Sequence, residues 1–121
     1  MAVLALHHAQ VFYPAGEEAR ARRFYGTQLG LREIERPASL RAQAGLWFEV
    51  PGGAHVHLAV EKDLALHPRR HFALRVDDVG RMRRELEAQG VRSEDATDIT
   101  GWLRCYVFDP FGNKIELDQI P

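Results

Sequence analysis

Three histidines and one glutamate hold matching places in the two halves of this 121-residue chain. His8 lies in "LHHAQV", His57 in "PGGAHVHLAV", His71 opens "HFALRV", and Glu116 lies in "PFGNKIELDQ". The second and fourth phrases align without a gap, setting Pro51 on Pro110, Gly53 on Gly112, Val56 on Ile115, His57 on Glu116 and Leu58 on Leu117. The span from His8 to His57 nearly equals that from His71 to Glu116. Each half therefore begins with an imidazole and ends with a second side chain of metal-binding type. Three imidazoles and a carboxylate suit a first-row divalent ion such as Zn, Ni, Fe, Mn or Co, and nitrogen donors argue against Ca and Mg.

The elements that must carry these residues follow from periodicity. Alternation predicts a strand over residues 3–13, with Leu4, Leu6, His8, Gln10 and Phe12 on one face and Val3, Ala5, His7, Ala9 and Val11 on the other. "EEARARRFYGTQLG" places Ala21, Phe24, Tyr25 and Leu29 on one helical stripe, with Gly30 as the stop. A weak strand within 31–36 and two strands, "GLWFEV" and "AHVHLAV", around "PGG" complete the first half. The second half repeats the order. "HFALRV" is a strand, Asp78 caps the helix "VGRMRRELEAQG" with Val79, Met82 and Leu86 inward, and a weak strand follows near 91–94. "WLRCYVF" and "NKIELDQ" then close around "DPFG". The reading is α+β: two tandem βαβββ modules, about 1–62 and about 70–121, joined by a linker over about 63–69.

Strand alternation also assigns faces. Phe72, Leu74 and Val76 belong with Val56, Leu58, Val60, Ile115 and Leu117 against the helices. That leaves His8, His57, His71 and Glu116 on the open faces, together with His55, Lys114 and Asp118, and puts His7 on the wrong face for the site. If the modules pair about a local twofold axis into one curved sheet, the four donors converge. Trp47 and Tyr106 fall at equivalent positions on the neighbouring strands and offer aromatic walls, and the Tyr106 hydroxyl can meet a substrate oxygen. Arg104, two residues before Tyr106, is the candidate anchor for an anionic substrate, with Arg75 a weaker one.

The composition fits this reading. Apolar residues make up 45% and charged residues 27%, near the globular norm, so a packed core is within reach. A net charge of -1, with arginines dispersed, gives no basic stripe for nucleic acid. The single cysteine, Cys105, rules out a disulfide framework and reads as a small buried strand residue in a reducing compartment. The apolar start "MAVLALHHAQVFYP" has no basic leader and is broken by histidines, which points to a cytoplasmic protein without membrane association.

"LHHAQV", "ARRFYGTQLGL", "WFEVPGGAHVHL", "HFALRVDDV" and above all "FDPFGNKIEL" resemble the successive signatures of the vicinal oxygen chelate superfamily. That superfamily includes glyoxalase I, extradiol dioxygenases, fosfomycin-resistance thiol transferases, methylmalonyl-CoA epimerase and bleomycin-binding proteins. The resemblance covers nearly the whole chain and implies one glyoxalase-like domain over 1–121, its paired modules forming a cup around a divalent metal with the helices outside. Carried over by position, the family's ligands fall on His8, His57, His71 and Glu116. Glyoxalase I usually has glutamate where this chain has His57, so the site here is one unit more positive and lacks one candidate base. His8, His71 and Glu116 resemble the two-histidine, one-carboxylate triad of extradiol and fosfomycin enzymes.

The resemblance implies a lyase, isomerase or dioxygenase that holds a small oxygenated substrate through adjacent oxygens, with Glu116 as the base and His57 as its alternative. It also implies a homodimer. The competing expectation is a non-catalytic, drug-binding protein of the bleomycin-resistance kind.

Overall fold

The computed structural model describes residues 1–121, which divide into two compact units, Met1–Leu64 and Ala65–Pro121. Each unit is a mixed four-stranded sheet with one helical segment.

In the first unit the strands are β1 (His8–Tyr13), β2 (Arg32–Ile34), β3 (Gly45–Glu49) and β4 (His55–Val60), in the order β1-β4-β3-β2. β1 runs parallel to β4, and the other pairs are antiparallel. A short 3-10 turn, Ala38–Leu40, lies between β2 and β3. The predicted strand over 3–13 is thus shortened. Its last ladder bond at that end runs from the His55 N–H to the His7 carbonyl, because β4 begins at His55 and nothing upstream is left to pair with residues 3–6. Val3, Leu4 and Leu6 are accordingly exposed.

The first helix also departs from expectation. It is α-helical only over Glu18–Ala21 (α1) and continues as a π-helix over Arg22–Gln28. The Leu29 N–H donates to the Phe24 carbonyl at 2.8 Å, five residues back. A wider turn brings adjacent side chains closer in angle, so both Phe24 and Tyr25 enter the core. They meet edge to face at 4.9 Å, and Tyr25 lies 5.9 Å from Phe48 on β3. Tyr13, Val56 and Leu58 complete this layer, fully buried on the helix side as alternation requires. Burial of each such side chain contributes about 1.5–3 kcal/mol.

In the second unit β5 (His71–Arg75), β6 (Ser93–Asp95), β7 (Leu103–Phe108) and β8 (Lys114–Gln119) take the order β5-β8-β7-β6, with β5 parallel to β8. Helix α2 (Val79–Ala88) is capped by the Asp78 carboxylate, which accepts from the Arg81 N–H. Leu86 and Val79 pack beneath Cys105, Val107, Ile115 and Leu117, all buried. Cys105 is thus the small core residue expected, and burial pushes its thiol up from the ordinary value. No helix is long and apolar enough to cross a membrane.

Candidate functional site

In the first unit, Trp47 stands opposite His57 in the β3–β4 ladder, and the two rings stack at 3.9 Å with planes 2° apart. His8 stacks on His57 as well, at 4.1 Å and 21°. His55 and His57, two residues apart on β4, share a face, and His55 Nδ1 lies 3.2 Å from His57 Nε2. His7 joins them, contrary to expectation. It precedes β1, so strand alternation no longer governs it; its Nδ1 lies 2.8 Å from that of His8, and its ring 4.9 Å from that of His55.

His57 is only 5% exposed, and its pKa is pushed down to about 4, first by burial and then by the neighbouring imidazoles of His8, His55 and His7. It is therefore neutral at physiological pH, the state in which imidazole offers a lone pair to an electrophile.

In the second unit the turn "DPFGN" delivers β8. The Asp109 carboxylate accepts from the N–H groups of Phe111 and Asn113 and from the Asn113 amide, at 2.8–2.9 Å. Gly112, at φ +93°, completes it; a Cβ there would lie 2.7 Å from Leu66 Cδ1. Beyond the turn Glu116 is buried opposite Tyr106. Its Oε1 accepts from Arg104 Nη2 at 2.9 Å and lies 3.2 Å from His71 Nε2. The same Nη2 donates to the Tyr106 hydroxyl at 2.9 Å, while Arg104 Nη1 is held by the Thr97 carbonyl at 2.7 Å. Burial raises the Glu116 carboxyl, but its bonds to Asp118 and Arg104 outweigh that and hold it below the usual range. Asp118 takes the cost: burial first, then the bond to Glu116 and its charge, lift its pKa to about 6.

The His71 contacts constrain its tautomer. Nδ1 lies 2.9 Å from the Arg69 carbonyl, which can only accept, so Nδ1 carries a proton. Nε2 then faces a carboxylate oxygen, and two lone pairs at 3.2 Å repel unless a proton or a cation lies between them.

The sequence-predicted residues thus fall into two groups. His8, His57 and Trp47 come together in the first unit, and His71, Glu116, Arg104 and Tyr106 in the second. Within neither unit do three or more donor side chains converge closely enough to hold a metal ion as they stand. Arg75, the weaker anion candidate, instead donates to the Ile120 carbonyl. Sequence reasoning missed the buried role of Asp118, whose Oδ1 has no hydrogen-bond partner. Its signal was the alternation Lys114, Glu116, Asp118 along one strand face.

Two βαβββ modules, each presenting paired donors beside an aromatic ring, define a protein of the vicinal oxygen chelate class. The chain matches the family model described as Glyoxalase/Bleomycin resistance protein/Dioxygenase superfamily over residues 5–117, and it belongs to that superfamily. Among solved structures it is similar to a protein assigned to the glyoxalase family in Bacillus anthracis, with 35% identity and a TM-score of 0.91, covering 100% of this chain and 98% of that one. A glyoxalase/dioxygenase from Nostoc punctiforme shares 25% identity at a TM-score of 0.79, covering 100% and 98%. TnmS3, an antibiotic binding protein from Streptomyces sp. CB03234, shares 24% identity at 0.71, covering 100% and 99%, and that likeness concerns the fold. No curated protein gives a significant match.

Proposed function

We propose that this chain is a metal-dependent enzyme of its superfamily, a lyase, isomerase or dioxygenase acting on a small oxygenated molecule, with His8, His57, His71 and Glu116 as ligands of one divalent ion. The observation that carries this is the contact between His71 Nε2 and Glu116 Oε1. With a proton on Nδ1, the facing Nε2 and Oε1 need a proton or a cation between them, and their separation is one that two ligands of one ion also adopt. The neutral His57 supplies a third donor of suitable type, and a carboxylate held below its ordinary pKa supplies the negative charge. The donor set therefore fits a first-row ion in its chemistry.

When bound, such an ion would polarise substrate oxygens and stabilise negative charge on them. The chain's own residues do the rest in this reading. Trp47 gives an apolar wall and keeps the His57 ring in place by stacking. Arg104 and Tyr106 bind an anionic or hydroxyl group of the substrate, and Glu116 accepts a proton once substrate displaces its bond to Arg104. The two modules form one domain in this reading, and the protein acts as a homodimer.

One observation favours a second reading. Arg104 Nη2 already neutralises Glu116 without any metal, as suits a binding protein that sequesters a small molecule; TnmS3, of like fold, binds an antibiotic. The discriminating experiment measures metal in the purified protein before and after chelation. It then follows Tm on adding back Ni, Zn, Mn or Fe, and assays the loaded protein with hemithioacetals, catechols and fosfomycin. Bound stoichiometric metal and a raised Tm support the enzyme. No metal and no shift with any of the four ions support the binding protein.

A further inference from the structure

At the far end of the first unit's sheet from His8 and His55, a cavity of about 530 Å³ opens between α1 and the segment joining β2 to β3. Its walls carry the side chains of Glu18, Arg22, Arg36 and Arg41, with Gly16 and Gly45 at the edges. It is an open cleft with a mainly polar lining, so polar and charged contacts would decide what it holds.

Two of the three guanidinium groups are already neutralised. Arg22 forms a two-pronged bond to Glu33, at 2.9 and 3.2 Å, and Arg41 pairs with Glu35 at 3.1 Å. Arg36 is different. It donates through Nη2 to the Gln43 carbonyl, and no carboxylate pairs with it. The missing side chain of Gly45 makes room for it: a Cβ at that position would lie 2.9 Å from Arg36 Nη1. Glu18, which lines the same cavity, is the complement: no cation forms an ion pair with its carboxylate. One cavity is therefore lined by one cation without a counter-ion and one carboxylate without an ion-pair partner, and the two are not paired with each other.

This combination selects against ligands of a single sign. A simple anion attracted to Arg36 meets the charge of Glu18, and a simple cation attracted to Glu18 meets the unpaired charge of Arg36. A ligand bearing both signs satisfies both groups. We infer that this cavity binds a small zwitterion of the α-amino acid class, its carboxylate on Arg36 and its ammonium on Glu18. The site lies within the first unit, uses none of the proposed metal ligands and does not depend on the reading of the function given above.

The test uses the full chain after chelation. Common L-amino acids are added one at a time at about 10 mM, where a millimolar Kd gives near saturation. A ligand at ten times its Kd raises Tm by about 5 °C. For the best amino acid, the analogues lacking the amino group and lacking the carboxylate are titrated beside it, and each binds about tenfold or more weakly. Arg36→Gln and Glu18→Gln each lose about the same factor, with circular dichroism confirming the fold, while Glu116→Gln keeps wild-type affinity. Should one cavity variant not fold, the other and the ligand-induced shift of the Arg36 Nε–H resonance decide the matter. Absence of a Tm shift with every amino acid overturns the proposal. So does equal binding of the carboxylate-only analogue, or affinity unchanged in both Arg36→Gln and Glu18→Gln.

Discussion

Replacing His57 with glutamine should reverse the sign of the response to mild acid. In the folded protein His57 has a pKa of about 4 against an ordinary 6.5, so between these values the unfolded chain binds the proton and the folded chain does not. Stability from this residue is complete above about pH 6.5 and declines as pH falls; from about pH 7 to pH 5 the loss is about 2 kcal/mol. Asp118 acts oppositely. Its folded pKa is raised from 3.8 to about 6, so the folded state takes up the proton first, and the same pH change adds about 1 kcal/mol. Glu116, lowered in the folded state, makes its own loss below the ordinary carboxylate range and leaves this window largely untouched.

The two groups therefore partly offset each other in the wild type, which should lose at most about 1 kcal/mol over the interval from these two residues. The His57→Gln protein should instead gain about 1 kcal/mol on acidification, and Asp118→Asn should lose about 2. Urea unfolding of chelated protein at the two pH values, with each variant compared with itself, measures these slopes and cancels the loss of stacking on Trp47. A His57→Gln slope equal to that of the wild type would falsify the burial argument for a neutral His57.

Removing Arg104 leaves a buried carboxylate with one fewer donor, and Arg104→Met should cost about 3 kcal/mol in chemical unfolding, with a raised apparent pKa for Glu116 visible in carboxyl NMR titration. Gly112→Ala combines a disfavoured positive φ with an approach of 2.7 Å to Leu66 Cδ1, so a loss of about 1–3 kcal/mol is expected from thermal melts. Leu66→Ala should recover the steric part of it. The stack of Trp47 on His57 makes tryptophan emission a reporter of the first unit. In a Trp102→Phe background, adding Ni or Cu should quench Trp47, and His57→Gln should abolish the quenching. Quenching that persists in the variant would place the ion elsewhere.

Much of the fold was legible because the chain states it twice. The gapless match of "PGGAHVHL" to "PFGNKIEL" set both hairpins in register, and alternation then assigned His57 and Glu116 to the face away from the buried Val56, Leu58, Ile115 and Leu117. The start of β1 was not legible, since alternation continues into residues 3–7 whereas a strand also needs a partner, and β4 supplies none beyond His55. That boundary decided the fate of His7. Nor was the Arg104–Glu116 bond foreseen, although both residues were singled out: they sit diagonally across the β7–β8 ladder, and only a long side chain reaching along the sheet joins them. The π-helix left no mark either, because over seven residues its periodicity is hard to tell from that of an α-helix.

That same wide coil makes the first unit intolerant of shortening at one place. Deleting a single residue between Arg22 and Gln28 would let the backbone relax into the tighter winding that it prefers elsewhere. Adjacent side chains would then stand about 100° apart instead of roughly 80°, so Phe24 and Tyr25 would no longer share the core face as closely against Phe48. Length in this stretch is therefore held by the aromatic contacts it serves, even where the individual exposed residues are free to vary.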